Sequence, residues 1–589
     1  MKENKSSNVY IVLVLILTIV FSSAAATQRP RLYFSSEEAE WVKKTIEEMT
    51  IEEKIGQMIS CRYSGYFVNI NGEYIKELEQ LIVEHKIGGL ILFGGNVYET
   101  AYLTNSLQNM TKIPLLIASD FERGVGVQIE GATLFPPLMA IGAIGSEEAA
   151  YSMGKITALE GRAMGIHMTY APVVDVNINP ENPIINTRSL GEDPEQVSRL
   201  AKAFIRGCQE NGLIATAKHF PGHGDTELDS HIELPIVKAD LKRLENVELY
   251  PFKKVVESGV QAIMTAHIHL PSLDPTPNLP ATLSPQIITE LLRNKFGFKG
   301  LIVSDAMDMG GVTSLYNPED AALKAVQAGV DMVLIPPEPE QVIAALVQAV
   351  VSGVISETRI EASVKRILEV KAMLGLHKNK LVEVNSLNKF VASNEHLQEA
   401  SRMFENSMTL VKNEENILPL PEDIPKLAVF SLSSDPGEYF AGRIFIKEIE
   451  ERFPEVMSFY ADCFTGEEYI QEGLEKAKQA DFIIFALFSK RIAWKGTVDL
   501  DQKHIRLVQE TAKDSPPVII VSFGSPYFLR HFPEVDTYLC AFQDLPQAQK
   551  TAVKALWGEI EIQGKLPVTL PDLFPLGHGL ILPKKSENQ

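Results

Sequence analysis

The stretch Leu213-Ile214-Ala215-Thr216-Ala217-Lys218-His219-Phe220-Pro221-Gly222-His223-Gly224-Asp225-Thr226-Glu227-Leu228-Asp229-Ser230-His231 changes character half-way along. Leu213–Ala217 is continuously apolar, the pattern of a strand buried on both faces rather than one half-exposed to water. A Lys, three His, two Asp and two Gly follow at once, a composition that no apolar core accepts. Gly222 and Gly224 open backbone angles closed to other residues, so a sharp, movable loop is expected here. Asp229 and His231 lie two apart and project to one side of an extended segment. A carboxylate so placed can accept one ring N–H of the imidazole and fix its tautomer, which makes an acid/base pair on a loop.

Working outward, the same motif of an apolar run ending in polar residues recurs. Runs at Gln57–Cys61, Gly89–Phe93, Leu115–Ser119, His167–Val173, Ala262–Ala266, Leu301–Ser304 and Asp331–Ile335 join Leu213–Ala217 to make eight. Helix-like segments such as Ile75–His85, Glu147–Met164, Pro194–Asn211 and Pro318–Ala328 separate them. Eight buried strands alternating with helices predict an α/β fold, an N-terminal (β/α)8 barrel of TIM type. Asp120, Asp175, Lys218-His219, His267 and Asp305 close five successive strands, and strand C-terminal ends form the active face of such barrels. Ahead of the first strand, Ser36–Met49 reads as a helix capped by Ser35 or Ser36.

The barrel is expected over 31–376, finishing with the helix Glu357–Leu374, and a charged connector at 377–394 reads as a linker. A smaller α/β domain is expected over 395–589, from the runs Leu427–Phe430, Phe482–Phe488, Val518–Phe523 and Tyr538–Phe542 with helical stretches such as Gly466–Ala480 between them. Two domains suit a chain of 589 residues. Net charge is −21 with no long Lys/Arg block, which argues against a nucleic-acid partner. At the N-terminus Lys2 and Lys5 precede an apolar run, Val9–Phe21, and then Ala24-Ala25-Ala26, the order of a secretory signal over 1–26. An uncleaved anchor, the protein's one route to a membrane, is the alternative; cleavage yields an exported, extracellular or envelope-associated protein. Cys61, Cys208, Cys463 and Cys540 are scattered without metal-ligand spacing, and Cys61 and Cys540 lie in apolar surroundings that suit buried free thiols.

The string Lys218-His219-Phe220-Pro221-Gly222-His223-Gly224 followed by Asp229-Ser230-His231 resembles the signature of the β-N-acetylglucosaminidase branch of glycoside hydrolase family 3, in its two-domain form. The resemblance runs from about Thr50 to the C-terminus. It implies a retaining, exo-acting glycosidase that releases terminal β-linked N-acetylglucosamine from peptidoglycan or chitin-derived fragments. Cleavage of a glycosidic bond calls for an acid at the leaving oxygen and, in retaining enzymes, a carboxylate nucleophile. By resemblance Asp305 is that nucleophile, His231 the acid and base, and Asp229 the residue that orients it. Asp120, Arg188, Lys218 and His219 align with the family's sugar-binding residues, and no cofactor is implied. Asp308, three residues after Asp305, falls on the next turn and is the weaker candidate for attack. One stretch departs from the family pattern: Val125 and Gln128 occupy its two arginine places, while Arg123 offers a displaced cation. His267-Ile268-His269 resembles the His-x-His of metal-dependent barrel hydrolases but closes the sixth strand and lacks a matching ligand set, so no metal site is expected. The alternatives are a phosphorylase or β-glucosidase on the same fold and, from a different class, a non-catalytic sugar-binding protein.

Overall fold

The structure, a computed structural model, describes residues 34–69, 71–453, 455–490, 497–514 and 517–586. The expected signal segment lies outside the described residues. A capping box opens the first helix, Ser36–Glu48, with Ser35 and Glu38 satisfying each other's backbone N–H groups.

Eight parallel strands follow: β1 (Ile59–Gly65), β2 (Gly89–Gly95), β3 (Leu116–Ser119), β4 (Met168–Thr169), β5 (Ile214–Phe220), β6 (Ala262–Thr265), β7 (Leu301–Val303) and β8 (Val333–Leu334). They pair in the order β7-β6-β5-β4-β3-β2-β1-β8. A parallel bridge between Val303 and Met332, with Ser304 N donating to Met332 O at 3.0 Å, joins the two ends and closes the barrel. Every one of the eight expected runs contains or overlaps a strand. β1 runs four residues past Cys61, to Gly65, and β5 runs on through Lys218, His219 and Phe220 rather than ending at Ala217. Polar side chains suggested a loop, yet the backbone stays paired: Val174 N donates to Lys218 O at 2.8 Å and Ala266 N to Phe220 O at 2.8 Å. β4 is shorter than expected, because Pro172 has no N–H to give a ladder.

The segment at 377–394 lies along the barrel. Val382 exchanges two hydrogen bonds with Asn105, and the 3₁₀ turn Val384–Lys389 buries Leu387. A second sheet then forms from β9 (Thr409–Asn413), β10 (Leu427–Ser433), β11 (Met457–Ala461), β12 (Phe482–Phe488), β13 (Val518–Ser522) and β14 (Thr537–Cys540). Its order is β11-β10-β12-β13-β14-β9, parallel except for β9, which runs antiparallel to β14. Sequence reading missed β9 and β11. Separate apolar clusters cover the two faces of this sheet.

The two sheets are joined by packing and by hydrogen bonds. Met139, Ala140 and Ala143, on a barrel helix (Leu138–Ile144), belong to a core of the second sheet. Thr569 N donates to Glu192 Oε2 at 2.8 Å, Asn177 Nδ2 to Tyr527 Oη at 3.1 Å, and His396 Nδ1 pairs with buried Glu160 at 2.7 Å. These contacts fix the second domain over the C-terminal ends of the barrel strands. All four cysteines are free, with Cys61, Cys208 and Cys540 buried.

Candidate active site

A pocket of about 780 Å³ opens at the C-terminal ends of the barrel strands. Asp120, Arg188, Lys218, His219, His231 and Asp305 line it together. Asp229 stands directly behind, buried against His231. The structure therefore brings every site residue expected from the sequence to one place.

β3 ends just before Asp120 and β5 carries Lys218, so their side chains meet: Lys218 Nζ donates to Asp120 Oδ1 at 2.7 Å. The same ammonium lies 2.8 Å from Glu122 Oε1. Arg188, at the end of the 3₁₀ turn Asn186–Arg188, holds Glu122 in a fork, Nε to Oε2 at 2.9 Å and Nη2 to Oε1 at 2.5 Å. Glu122 thus clamps two of the expected sugar-binding cations. It was passed over in the sequence, although an acid two residues beyond Asp120 was a visible signal.

Asp175, noted only as a polar strand end, supports the ring next door. Its carboxylate accepts the His219 and His223 backbone N–H groups and the His219 Nδ1–H at 2.7 Å. That leaves His219 Nε2 as an acceptor, 3.4 Å from Arg188 Nη2. His267 is also buried, between Thr282 Oγ1 and the Ala306 carbonyl, and plays a structural part.

The loop after β5 is braced from within. His223 spans Thr226 Oγ1 at 2.8 Å and Ser230 Oγ at 2.9 Å. Gly224 is required by close approach, since a Cβ there would stand 1.9 Å from Val176 O. The tip is tied to the turn after β7: Gly310 N donates to His231 O and Gly311 N to Ser230 O, both at 3.0 Å. In this conformation the loop is docked, with His231 on the same pocket as Asp305. Asp229 Oδ1 receives the His231 backbone N–H at 2.8 Å and sits 2.7 Å from Nδ1. Asp308 faces the rim instead, paired with Arg62 at 2.9 Å. Among the described residues no cluster of His, Cys, Asp and Glu is arranged to hold a metal ion.

Two family models cover most of the chain, glycosyl hydrolase family 3 N terminal domain over residues 50–370 and glycosyl hydrolase family 3 C-terminal domain over 408–580. The chain belongs to glycoside hydrolase family 3. Beta-hexosaminidase A of Pseudoalteromonas piscicida is 32% identical across 84% of this chain and 91% of its own length. A glycoside hydrolase family 3 beta-N-acetylglucosaminidase from Paenibacillus sp. str. FPU-7 superposes with a TM-score of 0.79 and 32% identity, covering 89% of this chain and 99% of that one. A beta-glucoside phosphorylase superposes with a TM-score of 0.81 at 27% identity, covering 91% and 97%.

The charges of this family 3 enzyme are arranged by environment. Burial pushes the Lys218 pKa down, but Asp120 and Glu122 outweigh it and hold the ammonium above its ordinary value. Burial, reinforced by Arg188 and Lys218, drives His219 well below the usual range, so its ring is neutral. Burial would raise Asp305, yet His219, His267, the Ala306 amide and Lys218 together leave it below the ordinary carboxylate value. Asp305 is therefore an anion at neutral pH. Where the sequence departs from the family pattern, Gln128 is engaged with the backbone of β2, accepting from Gly94 N at 3.1 Å. Arg123 lines the pocket, and its Nη1 is buried without a hydrogen-bond partner among the described residues. The second domain contributes the remaining wall, including Ser489, Lys490, Phe542 and Asp544. No sequence pattern announced those residues, which reach the site only through domain packing.

Proposed function

We propose that the protein is an exported, retaining, exo-acting β-N-acetylglucosaminidase. The observation that carries this reading is the docking of the β5 loop on Gly310 and Gly311, which puts His231 and Asp305 on one pocket. Asp305 attacks the anomeric carbon as a carboxylate while His231, through Nε2–H, protonates the departing glycosidic oxygen. Asp229 accepts the Nδ1–H, fixes the ring and compensates its charge when both nitrogens are protonated. The neutral imidazole then takes a proton from water as that water displaces Asp305 from the sugar. Asp120, Arg188, Lys218 and His219 hold the hydroxyls of the terminal sugar, where an unmatched polar group would be costly. The protein works outside the cytoplasm on peptidoglycan or chitin-derived fragments after cleavage near Ala26. The intact mass of secreted material tests that, and retention of residues 1–26 would contradict it.

A second reading draws on the likeness to the beta-glucoside phosphorylase. Phosphate would then replace water in the second step, since a neutral imidazole base repels an anion less than a carboxylate does. A panel of aryl β-glycosides with and without phosphate separates the possibilities. Preference for the N-acetylglucosaminide with free sugar as product supports the hydrolase. Preference for the plain glucoside overturns the substrate, and a sugar phosphate replaces hydrolysis with phosphorolysis.

A further inference from the structure

Five of the nine exposed aromatic side chains among the described residues follow just two of the eight barrel strands. Tyr66 and Phe67 are in the loop after β1 and Tyr74 opens the next helix (Glu73–Val83). Tyr98 and Tyr102 are in the first turns of the helix after β2 (Val97–Asn109), four residues apart and so on one face. Phe67, Tyr98 and Tyr102 are 78%, 56% and 66% exposed, far beyond what packing against the barrel requires.

This patch is continuous with the pocket. Arg62 on β1 and Phe93 on β2 line the pocket wall, the guanidinium 5.4 Å from the ring centroid. Gln128, also in the lining, accepts from Gly94 N, and any side chain on Gly94 would strike the Tyr66 ring. Tyr66 Oη donates to Glu130 Oε1 at 3.0 Å, and Phe67 N donates to Glu99 Oε2 at 2.9 Å, which ties the β1 loop onto the helix carrying Tyr98 and Tyr102. The aromatic strip thus runs outward from the pocket mouth on a braced surface.

We propose that this strip is an outer binding surface for the sugar units beyond the scissile bond of a β-linked amino-sugar chain. The inference rests on the glycosidase reading above. Sugar rings present C–H faces to aromatic rings and hydroxyls to their edges, and Tyr hydroxyls with Glu99 and Glu130 supply acceptors along the strip. Residues 66–74 and 96–102 contain no Lys or Arg, so an anionic lipid surface finds no cation here. An exo-acting pocket holds one ring, and any grip on chain length has to come from outside it.

The test is the full-length triple variant Phe67→Ala, Tyr98→Ala, Tyr102→Ala. On an aryl β-N-acetylglucosaminide it should match the wild type, since none of the three lines the pocket. On an N-acetylglucosamine tetrasaccharide its kcat/KM should fall roughly tenfold through KM, with a smaller loss on the disaccharide. An unchanged dependence on chain length would overturn the proposal. So would loss of self-association in sedimentation, or loss of binding to lipid vesicles, without any change on the tetrasaccharide. A wild type inactive on every aryl N-acetylglucosaminide would instead sink the glycosidase reading, and the two failures are distinguishable.

Discussion

Asp305 and His231 act at different moments of the proposed reaction, so removing them leaves different signatures. Asp305→Ala takes away the attacking group, and activity on every substrate should fall to nearly nothing. His231→Ala should cost ~10²–10⁴-fold on a natural disaccharide, the usual worth of general acid/base help. An activated aryl group leaves without a proton, so there the glycosyl-enzyme should form and accumulate, and azide should speed turnover. Asp229→Ala should show the same pattern more weakly. Equal losses on both substrates without azide rescue, in folded protein, would remove His231 from the role. Glu122 offers a separate test. Glu122→Gln leaves Arg188 and Lys218 short of an opposing charge, and breaking a buried pair from one side costs about 3–5 kcal/mol. A lower Tm and a raised KM are expected, and wild-type values of both would show that the clamp is idle. Lys218, His219, Asp229, His231 and Asp305 were legible because a loop signature and strand ends singled them out. Asp175 was placed at a strand end but not given its supporting role, and Glu122 was passed over, because an acid near a strand end looks the same whether it meets a ligand or another side chain.

At the scale of elements, periodicity located strands better than it ended them. β5 outran its apolar segment because backbone pairing does not depend on side-chain polarity. β9 and β11 were missed because Thr409–Asn413 and Met457–Ala461 are short and partly polar, and only their neighbours in the sheet make them strands. The helix Glu357–Met373 hides a further surprise in Lys371, fully buried with Gln57 Oε1 as its partner at 2.7 Å. Burial pushes its pKa down to about 7. In the unfolded chain a lysine titrates near ~10.4, so between these values the unfolded state binds more protons and stability rises with pH. Below about pH 7 both states are protonated and the full cost of the buried charge is present. Lys371→Met should therefore raise Tm relative to wild type more at pH 6 than at pH 9. A difference that does not change with pH would mean that Lys371 is not titrating in the folded protein.

At the scale of the molecule, the question is whether the second domain supplies chemistry or only a wall. Composition and alternation showed that a second α/β unit exists, but its placement over the pocket depends on contacts hundreds of residues apart, such as Glu192 with Thr569. From that position Lys490 reaches the pocket lining, held by Glu438 at 2.9 Å and Asp544 at 3.1 Å. Both partners are carboxylates, so either could be imagined as an acid for the leaving group. Yet each is committed to the Lys490 ammonium, and turning either toward a leaving group would break that contact. His231 needs no such help from across the domain boundary. Lys490→Ala and Asp544→Ala should then raise KM severalfold and leave kcat on an activated substrate, and the pH dependence of kcat, close to wild type. The comparison of the two variants is the decisive part. If Asp544→Ala alone lost the His231-like factor of ~10²–10⁴ on unactivated substrate, with azide rescue, the acid would belong to the second domain. If both variants change only KM, the barrel carries the chemistry and the second domain shapes what reaches it.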